Sequence, residues 1–171
     1  RLVFGNRQRF DSQVLNGNGI APNLEGILNK SGIQTQAKGT DPVPDAVYKA
    51  MTNVRVTGRA FPNGYVTHPN DWQQIRLLRT ADGIYIWGSP SEAGPERIWG
   101  VRIVQADSIA EGTGLVGDFA NFCQMFERQG MEVAVGFVDA DFKEGRQTIR
   151  AGFRVAFVIF RASAFSTVTG I

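Results

Sequence analysis

The stretch Leu15-Asn16-Gly17-Asn18-Gly19, followed by Asn23-Leu24-Glu25-Gly26-Ile27-Leu28-Asn29-Lys30, decides how the chain is divided, because it follows an apolar pattern typical of a helix. We predict that Gly17 and Gly19 enter the left-handed backbone region, which ends the helix and turns the chain. A phosphate-binding loop would need a third glycine or a Gly-Lys-Ser/Thr ending after a strand, and Pro22 lies near the third position. Gly17, Gly19 and Gly26 are therefore interpreted as structural junction glycines.

Composition limits the classes of protein to which the chain can belong. With 171 residues, 43% of them hydrophobic, it can bury a core as one compact unit or as two small lobes. A net charge of +2 is too small to indicate, on electrostatic grounds alone, that the protein binds nucleic acid. The single cysteine, Cys123, excludes an internal disulfide and favours a reducing compartment. No apolar run reaches the roughly 18 residues of a membrane span, so no membrane partner is expected.

Two helices are predicted after the junction. From Val43 to Val54 apolar residues recur at three- and four-residue spacing, and Asp41 is a candidate cap. His68-Pro69 opens the next helix, because proline fits the first helical position. This second helix carries Trp72, Ile75 and Leu78.

The other apolar segments are predicted as strands. Short strands are expected at 65–67, 83–88, 98–104 and 115–119, with loops at 89–97 and 107–114. After Asn121 the pattern changes to long antiparallel strands at 122–128, 131–138 and 148–160, the first two joined by a turn at Gln129-Gly130. In the last strand one face is apolar throughout, while the other is polar at Arg150 and Arg154 and apolar from Ala156 onward. We expect that strand to enter a buried region between two lobes.

Few side chains could perform chemistry. His68 is the only histidine, and its position at a helix entrance favours capping over a catalytic or zinc-binding role. Cys123 lies among apolar residues, which is typical of inert packing. Asp139 and Asp141 supply too few oxygen ligands for a divalent cation, so we interpret them as solvated loop charges. No catalytic residue, metal or cofactor is predicted.

A basic stripe is the one charged feature that suggests a partner. Arg146, Arg150 and Arg154 are expected on one face of the last strand. They could contact phosphate or the carboxylates of a neighbouring subunit, or they could form a solvated sheet face. The sequence leaves these interpretations open.

A series of short motifs, in order and spacing, resembles the major capsid proteins of tailed bacteriophages of the Hong Kong ninety-seven type. Each motif alone is a turn or a strand end, but together they span nearly the whole chain. They are Leu-Asn-Gly-Asn-Gly, Asn-Leu-Glu-Gly-Ile-Leu-Asn, His-Pro-Asn-Asp-Trp with Leu77-Leu78, Asp-Gly-Ile-Tyr-Ile, Ile-Trp-Gly-Val, Val-Gly-Asp-Phe, Arg-Gln-Gly and Thr-Ile-Arg-Ala-Gly-Phe-Arg.

This resemblance implies an α+β capsid fold with two domains. The axial domain, residues 20–123 and 163–171, would hold a mixed sheet with helices. The peripheral domain, residues 1–19 and 124–162, would hold a spine-helix stump and the long antiparallel strands. The implied function is structural: a non-enzymatic subunit of an icosahedral virion, assembled in the host bacterial cytoplasm into pentamers and hexamers that enclose double-stranded DNA. The implied partners are copies of itself, scaffold and portal proteins, and packaged DNA contacted without sequence recognition.

The resemblance also indicates what this chain lacks. The family's N-terminal arm, extended loop and first half of the spine helix would precede Arg1, so we expect a folded fragment that does not close into shells by itself. Some relatives join subunits through a Lys-Asn isopeptide bond promoted by a glutamate. Gly145 stands at the position resembling that asparagine and Gly152 at the one resembling that glutamate, so self-crosslinking is not expected.

Subunit contacts are expected at three places. Asp139, Asp141, Lys143, Gly145 and Arg146 form a charged peripheral tip, which we assign to three-fold contacts. The basic strand face with Arg150 and Arg154 forms a second contact, and loops near the axial tip form ring contacts.

Three alternatives remain. The first is an encapsulin-like compartment of the same fold, and the second is a hydrolase that uses His68 or Cys123. The third is a carbohydrate-binding module. Against the third, Trp72, Trp87 and Trp99 all occur in apolar patterns and are predicted to lie in the core.

Overall fold

The computed structural model describes residues 1–87 and 96–171. The helices are α1 (Leu2–Asn16), α2 (Val43–Val56), α3 (Pro69–Arg76), α4 (Phe119–Phe122) and α5 (Asp141–Glu144). The strands are β1 (Gln34–Ala37), β2 (Gly64–Thr67), β3 (Arg97–Ile98), β4 (Val101–Gln105), β5 (Thr113–Gly117), β6 (Cys123–Gly136), β7 (Thr148–Ile159) and β8 (Phe165–Thr169).

Six strands form a mixed sheet in the order β1-β8-β5-β2-β4-β3. The pairs β1/β8 and β2/β4 are parallel, and the other neighbours are antiparallel. All four residues of β2 are buried because both faces of the sheet are covered. The helices α2 and α3 cover one face, over Tyr65 and Val116. The end of α1 and the base of β6 and β7 cover the other, over Val66 and Leu115.

The strands β6 and β7 form a separate antiparallel ribbon, whose pairing runs from Cys123↔Ile159 at the base to Gly136↔Thr148 at the far end. The helix α1 packs against this ribbon. The rings of Phe10 and Phe153 meet edge to face at 5.4 Å, and the side-chain amide of Asn6 donates to the carbonyl of Ala151 at 3.0 Å. The ribbon is therefore braced by one helix on one face.

The junction glycines serve two different purposes. Gly19 has φ of 71°, as predicted, but Gly17 has φ of −55° and ψ of 137°, which any residue can adopt. Gly17 is required instead by a close approach of two backbone segments, because a Cβ there would lie 2.2 Å from the Leu24 carbonyl oxygen. A Cβ on Gly26 would lie 2.4 Å from the Gly17 nitrogen, and the Gly26 N–H donates to the Gly17 carbonyl at 2.8 Å.

Both predicted helices after the junction are present, with one difference in capping. In α3 the His68 Nδ1 accepts a hydrogen bond from the Asn70 N–H at 3.2 Å, so the predicted capping role is confirmed. In α2 the Asp41 prediction is wrong. The chain enters that helix through Pro42, and Asp41 instead accepts from Lys49.

Two predicted strands in the middle of the chain differ from the structure. Residues 83–87 form only an isolated bridge, between Tyr85 and Arg79, and Gly88 lies outside the described residues, as do 89–95 of the predicted loop. The strand expected at 98–104 is a tight hairpin of β3 and β4, because Trp99 and Gly100 both take positive φ and turn the chain. The predicted strand at 115–119 ends at Gly117, since α4 begins at Phe119.

The predicted pair of strands around Gln129-Gly130 is one continuous strand. The ladder of β6 shifts register between Glu127 and Gln129 and again before Glu132, so this segment is a bulge and not a turn. The alternation of β7 is confirmed, but its second face does not become buried, because Val158 and Phe160 are exposed. The strands β1 and β8 had no counterpart in the predicted set.

Candidate subunit-contact surfaces

The two residues considered for catalysis are held in structural roles. The Nδ1 atom of His68 accepts the hydrogen bond that caps α3. The nearest carboxylate oxygen, on Glu111, lies 3.7 Å from that nitrogen. The Cys123 thiol donates to the carbonyl of Phe119 at 3.2 Å. Burial raises the pKa of this thiol, and the negative charge of Asp118 raises it further, so the reactive thiolate is disfavoured.

One of the two aspartates in the loop between β6 and β7 is engaged in hydrogen bonds within the loop. The Asp141 carboxylate accepts from the Thr148 hydroxyl at 2.6 Å and from the Val138 N–H at 3.1 Å. These two hydrogen bonds lower the pKa of Asp141, the one from Thr148 most. Within residues 1–87 and 96–171 no three His, Cys, Asp or Glu side chains are grouped so that they could hold a metal ion. Asp141 therefore closes the loop through its bonds to Thr148 and Val138.

That loop, with α5, forms the tip of the ribbon, defined here as residues 137–147. Gly145 ends α5 in the left-handed conformation, with φ of 66°. The next residue, Arg146, pairs with Glu144 at 3.1 Å, and its N–H donates to the Asp141 carbonyl at 2.9 Å. The tip thus holds together the five predicted residues Asp139, Asp141, Lys143, Gly145 and Arg146, and their charges are of both signs.

Two aromatic rings at the tip are functional candidates that the sequence interpretation missed. Phe137 and Phe142 meet edge to face at 5.5 Å, and Phe142 is 77% exposed. An apolar ring that stands out among charged residues on a surface is typical of a contact anchor. The available signal was the single phenylalanine within the charged run from Asp139 to Arg146.

The predicted basic stripe is shorter than expected. Arg146 lies in the tip, before β7 begins, so it does not share a strand face with the other two arginines. Arg150 and Arg154 do lie on one face of β7, and Gly152 lies between them. Both side chains are exposed.

The ribbon exposes apolar side chains along both faces. On the face toward α1, the pairs of β6 and β7 nearer the tip expose Val133, Val135 and Ile149. On the opposite face, Phe126, Val158 and Phe160 are exposed near the base. Scattered single apolar residues are normal on a protein surface, but rows of them on one element mark a contact surface.

The tryptophans differ from the prediction that all three belong to the core. Trp72 is buried and meets the half-buried Trp87 at 6.2 Å, but Trp99 is 54% exposed. Its indole N–H donates to the Pro44 carbonyl at 2.8 Å and its ring meets Tyr48 at 5.1 Å. Trp99 therefore ties the β3–β4 hairpin to the start of α2.

Among the described residues, no helix combines the length and the apolar character that crossing a membrane demands.

Comparison with known proteins shows the same architecture. A family model described as the phage capsid family matches residues 1–170. The chain is 34% identical over 169 residues to the major capsid protein of Enterobacteria phage HK97, which covers 96% of this chain and 43% of that protein. Among solved structures, one of Gordonia phage Cozz aligns with a TM-score of 0.77 at 12% identity, covering 98% of this chain and 60% of that one.

Two further solved structures have the same fold. The capsid of an empty GTA particle aligns with a TM-score of 0.74 at 19% identity, covering 98% of this chain and 65% of that one. The SrpI encapsulin of Synechococcus elongatus PCC 7942 aligns at 0.66 and 14% identity, covering 99% of this chain and 62% of that one. At these identities the structures show the fold alone, which confirms the α+β capsid architecture.

The chain spans 43% of the length of the HK97 protein, so the match concerns one part of that relative. Within this chain, however, the family model covers all residues but the last. The chain belongs to the phage capsid family.

Proposed function

We propose that this chain is the body of a structural subunit of an icosahedral phage head, which assembles into pentamers and hexamers around double-stranded DNA. The observation that carries the proposal is the ribbon of β6 and β7, which leaves the six-stranded sheet with apolar residues exposed on both faces. Membership of the phage capsid family agrees with a structural role, and we propose no enzymatic activity.

The ribbon is the element that most needs neighbours. A two-stranded sheet is marginally stable alone, and here α1 braces only part of one face. The exposed Val133, Val135 and Ile149 would be removed from water by a neighbouring copy, at roughly 25 cal/mol for each Å² of apolar surface buried. A shell supplies that cover from several sides at once.

Ring-shaped capsomers follow from contacts between different surfaces of identical subunits. Head-to-tail contacts generate a ring when the rotation from one copy to the next closes after a whole number of copies. Many individually modest contacts then hold each subunit in place. We assign the body around the six-stranded sheet, residues 20–123 and 163–171, to the axial domain, whose loops make the ring contacts. The ribbon with α1, residues 1–19 and 124–162, is the peripheral domain, whose tip makes the three-fold contacts.

The further partners are proposed from the same function. Scaffold and portal proteins would act during assembly in the host cytoplasm, and the finished protein would reside in the virion. Packaged DNA would touch the inner surface through its phosphates without sequence recognition, in agreement with the net charge of +2.

An encapsulin-like compartment is an alternative with the same fold, and it would enclose protein cargo instead of DNA. The test is electron microscopy of the whole gene product, purified from the cells in which it is naturally made, with and without nuclease treatment. We expect closed icosahedral particles that protect double-stranded DNA. Particles filled with protein cargo would favour the compartment, and a product that stays monomeric at high concentration would overturn the proposal.

Covalent joining of subunits is not part of the proposal. Gly145 and Gly152 lack the side chains that an Asn-based isopeptide bond and its glutamate would need. We therefore expect a single monomer band when the particles are boiled in detergent and run on a denaturing gel. Ladders of covalent oligomers would contradict this expectation.

A further inference from the structure

The outer face of β7 contains a notch over Gly152. A Cβ built on this glycine meets no atom within 4 Å, so the space above the backbone is open. The cavity there is about 250 Å³, and its polar lining is Gln129, Glu132, Arg150 and Arg154. We call it the Gly152 notch and define it by these five residues.

The two arginines of the notch have no partner of opposite charge in the part of the chain that the structure describes. In the strand register, Arg150 faces Ala134 and Arg154 faces Gln129, while Glu132 faces Gly152 between them. Within residues 1–87 and 96–171 neither guanidinium lies within salt-bridge distance of a carboxylate. The Glu132 carboxylate instead accepts from the Gln129 side-chain amide at 2.6 Å. Two positive groups and one negative group leave the notch with one uncompensated positive charge.

The surroundings favour a protein carboxylate over a phosphate. The notch carries one net positive charge, which matches a single carboxylate, whereas a nucleic-acid backbone is held by several lysines and arginines along a chain of phosphates. The same face of the ribbon continues with the exposed Phe126, Val158 and Phe160, which a nucleic-acid backbone would leave uncovered. Arginines beside apolar and aromatic residues are instead typical of protein–protein interfaces.

We propose that the Gly152 notch receives a carboxylate side chain from a second copy of this chain, with Arg150 and Arg154 donating to it from both sides. The absence of a side chain at Gly152 provides the room for it. This inference rests on the proposed function, because only an assembled shell presents that second copy. The contact is charge-assisted, and the apolar residues toward the base of the ribbon would be covered by the same neighbour.

The test places an amine at the notch and joins it to any adjacent carboxylate. Arg150→Lys and Arg154→Lys keep the charge, and a carbodiimide couples an amine directly to a touching carboxylate through an amide bond. The whole gene product is assembled with either change and treated, and Arg128→Lys, an exposed arginine of the same ribbon outside the notch, is the matched control. We expect covalent dimers and larger oligomers several times more abundant in the notch variants.

The outcomes separate this inference from the proposed function. Equal crosslinking in the notch variants and in Arg128→Lys would overturn the inference, and so would crosslinks that disappear after nuclease digestion. If the unmodified product forms no particles at all, the proposed function itself fails. Should a notch variant fold but not assemble while the control assembles, the contact at these arginines is supported.

A second variant decides the same question without crosslinking. Gly152→Glu places the chain's own carboxylate between the two arginines, so we expect particle formation to be lost while the subunit stays folded. Gly5→Glu is its control, because Gly5 is also exposed and a Cβ there likewise meets no atom within 4 Å. Normal particles from Gly152→Glu would refute the proposed contact.

Discussion

At the scale of single residues, the positions that matter most to the fold are those where two backbone segments touch. Gly17 and Gly26 lie where the end of α1 crosses the segment after the junction, and no side chain fits between the two segments. The glycine-rich motif was correctly interpreted as structural from the sequence. The reason why residue 17 must be glycine was predicted wrongly, because a close approach depends on a second segment that the local sequence does not show.

The first prediction tests this crossing. Gly26→Ala should destabilise the fold by about 3 kcal/mol, because its Cβ would meet backbone atoms that cannot move independently. Gly5→Ala in α1 is the control and should stabilise by about 0.5–1 kcal/mol through helix propensity. Urea unfolding of both variants gives the comparison. A loss below 1 kcal/mol for Gly26→Ala would contradict the proposed crossing.

The second prediction concerns Asp71, which is buried in α3 and accepts from the Gly112 N–H at 3.0 Å. Burial raises the pKa of Asp71, although that hydrogen bond opposes the shift. The folded protein therefore binds this proton more tightly than the unfolded chain, so stability falls as the pH rises from the ordinary aspartate value of about 3.9 through the raised pKa.

The measurement is the free energy of unfolding of the natural chain and of Asp71→Asn from about pH 3.9, the ordinary aspartate value, to neutral pH. Asparagine can keep the bond from Gly112 without carrying charge. We expect the variant to lack this part of the pH dependence and to gain stability relative to the natural chain toward neutral pH. Parallel pH profiles for the two proteins would show that Asp71 does not titrate in this way.

At the scale of elements, the sequence predicts helices and strands that follow a local apolar pattern, but it does not predict features that depend on pairing with a distant strand. The alternation of β7 and the apolar face of α2 are visible in the sequence. The strand repeats about every two residues and the helix about every 3.6 residues. The bulge at Gln129-Gly130 contains ordinary turn residues, and only the uninterrupted partner β7 shows that β6 continues through it. The polar strand β1 pairs with β8 across most of the chain, which no local pattern indicates.

The third prediction measures how firmly α1 braces the ribbon. Phe10 and Phe153 are both half-buried and meet edge to face, so Phe10→Ala and Phe153→Ala should each destabilise the chain. Their coupling in a double-mutant cycle should be about 0.5–1.5 kcal/mol. The control is Phe4→Ala in the same helix, whose exposed ring should show no coupling to Phe153. Additive effects of the Phe10 and Phe153 changes would mean that the helix does not brace the strand through these rings.

At the scale of the whole molecule, the six-stranded sheet and its helices form a body, and the two-stranded ribbon of β6 and β7 extends from it. The resemblance in motif order predicted the fold class and family, whereas composition and periodicity alone stop at a globular α+β protein. The tip is predicted as a contact surface from its charges, and Phe137 and Phe142 make its exposed surface aromatic as well.

The fourth prediction concerns assembly through that tip. Phe142→Ser should lower the yield of particles from the whole gene product. Because the ring is exposed in the single chain, the free energy of unfolding of the subunit should stay within about 0.5 kcal/mol of the natural value. Phe61→Ser is a matched control, since Phe61 is also 77% exposed but lies in the body. Sedimentation of the assembly reaction measures the particle yield of each of the two variants. Equal yields from the two variants would remove the tip aromatics from the proposed three-fold contact.

The position of β8 in the six-stranded sheet has a consequence for synthesis. This strand lies between β1 and β5, and both of these neighbours precede it in the chain. While the ribosome is still translating residues 165–169, the sheet lacks an interior strand and the nascent polypeptide cannot complete its core. Under the proposed function, a subunit would become competent to dock only after this segment has left the exit tunnel.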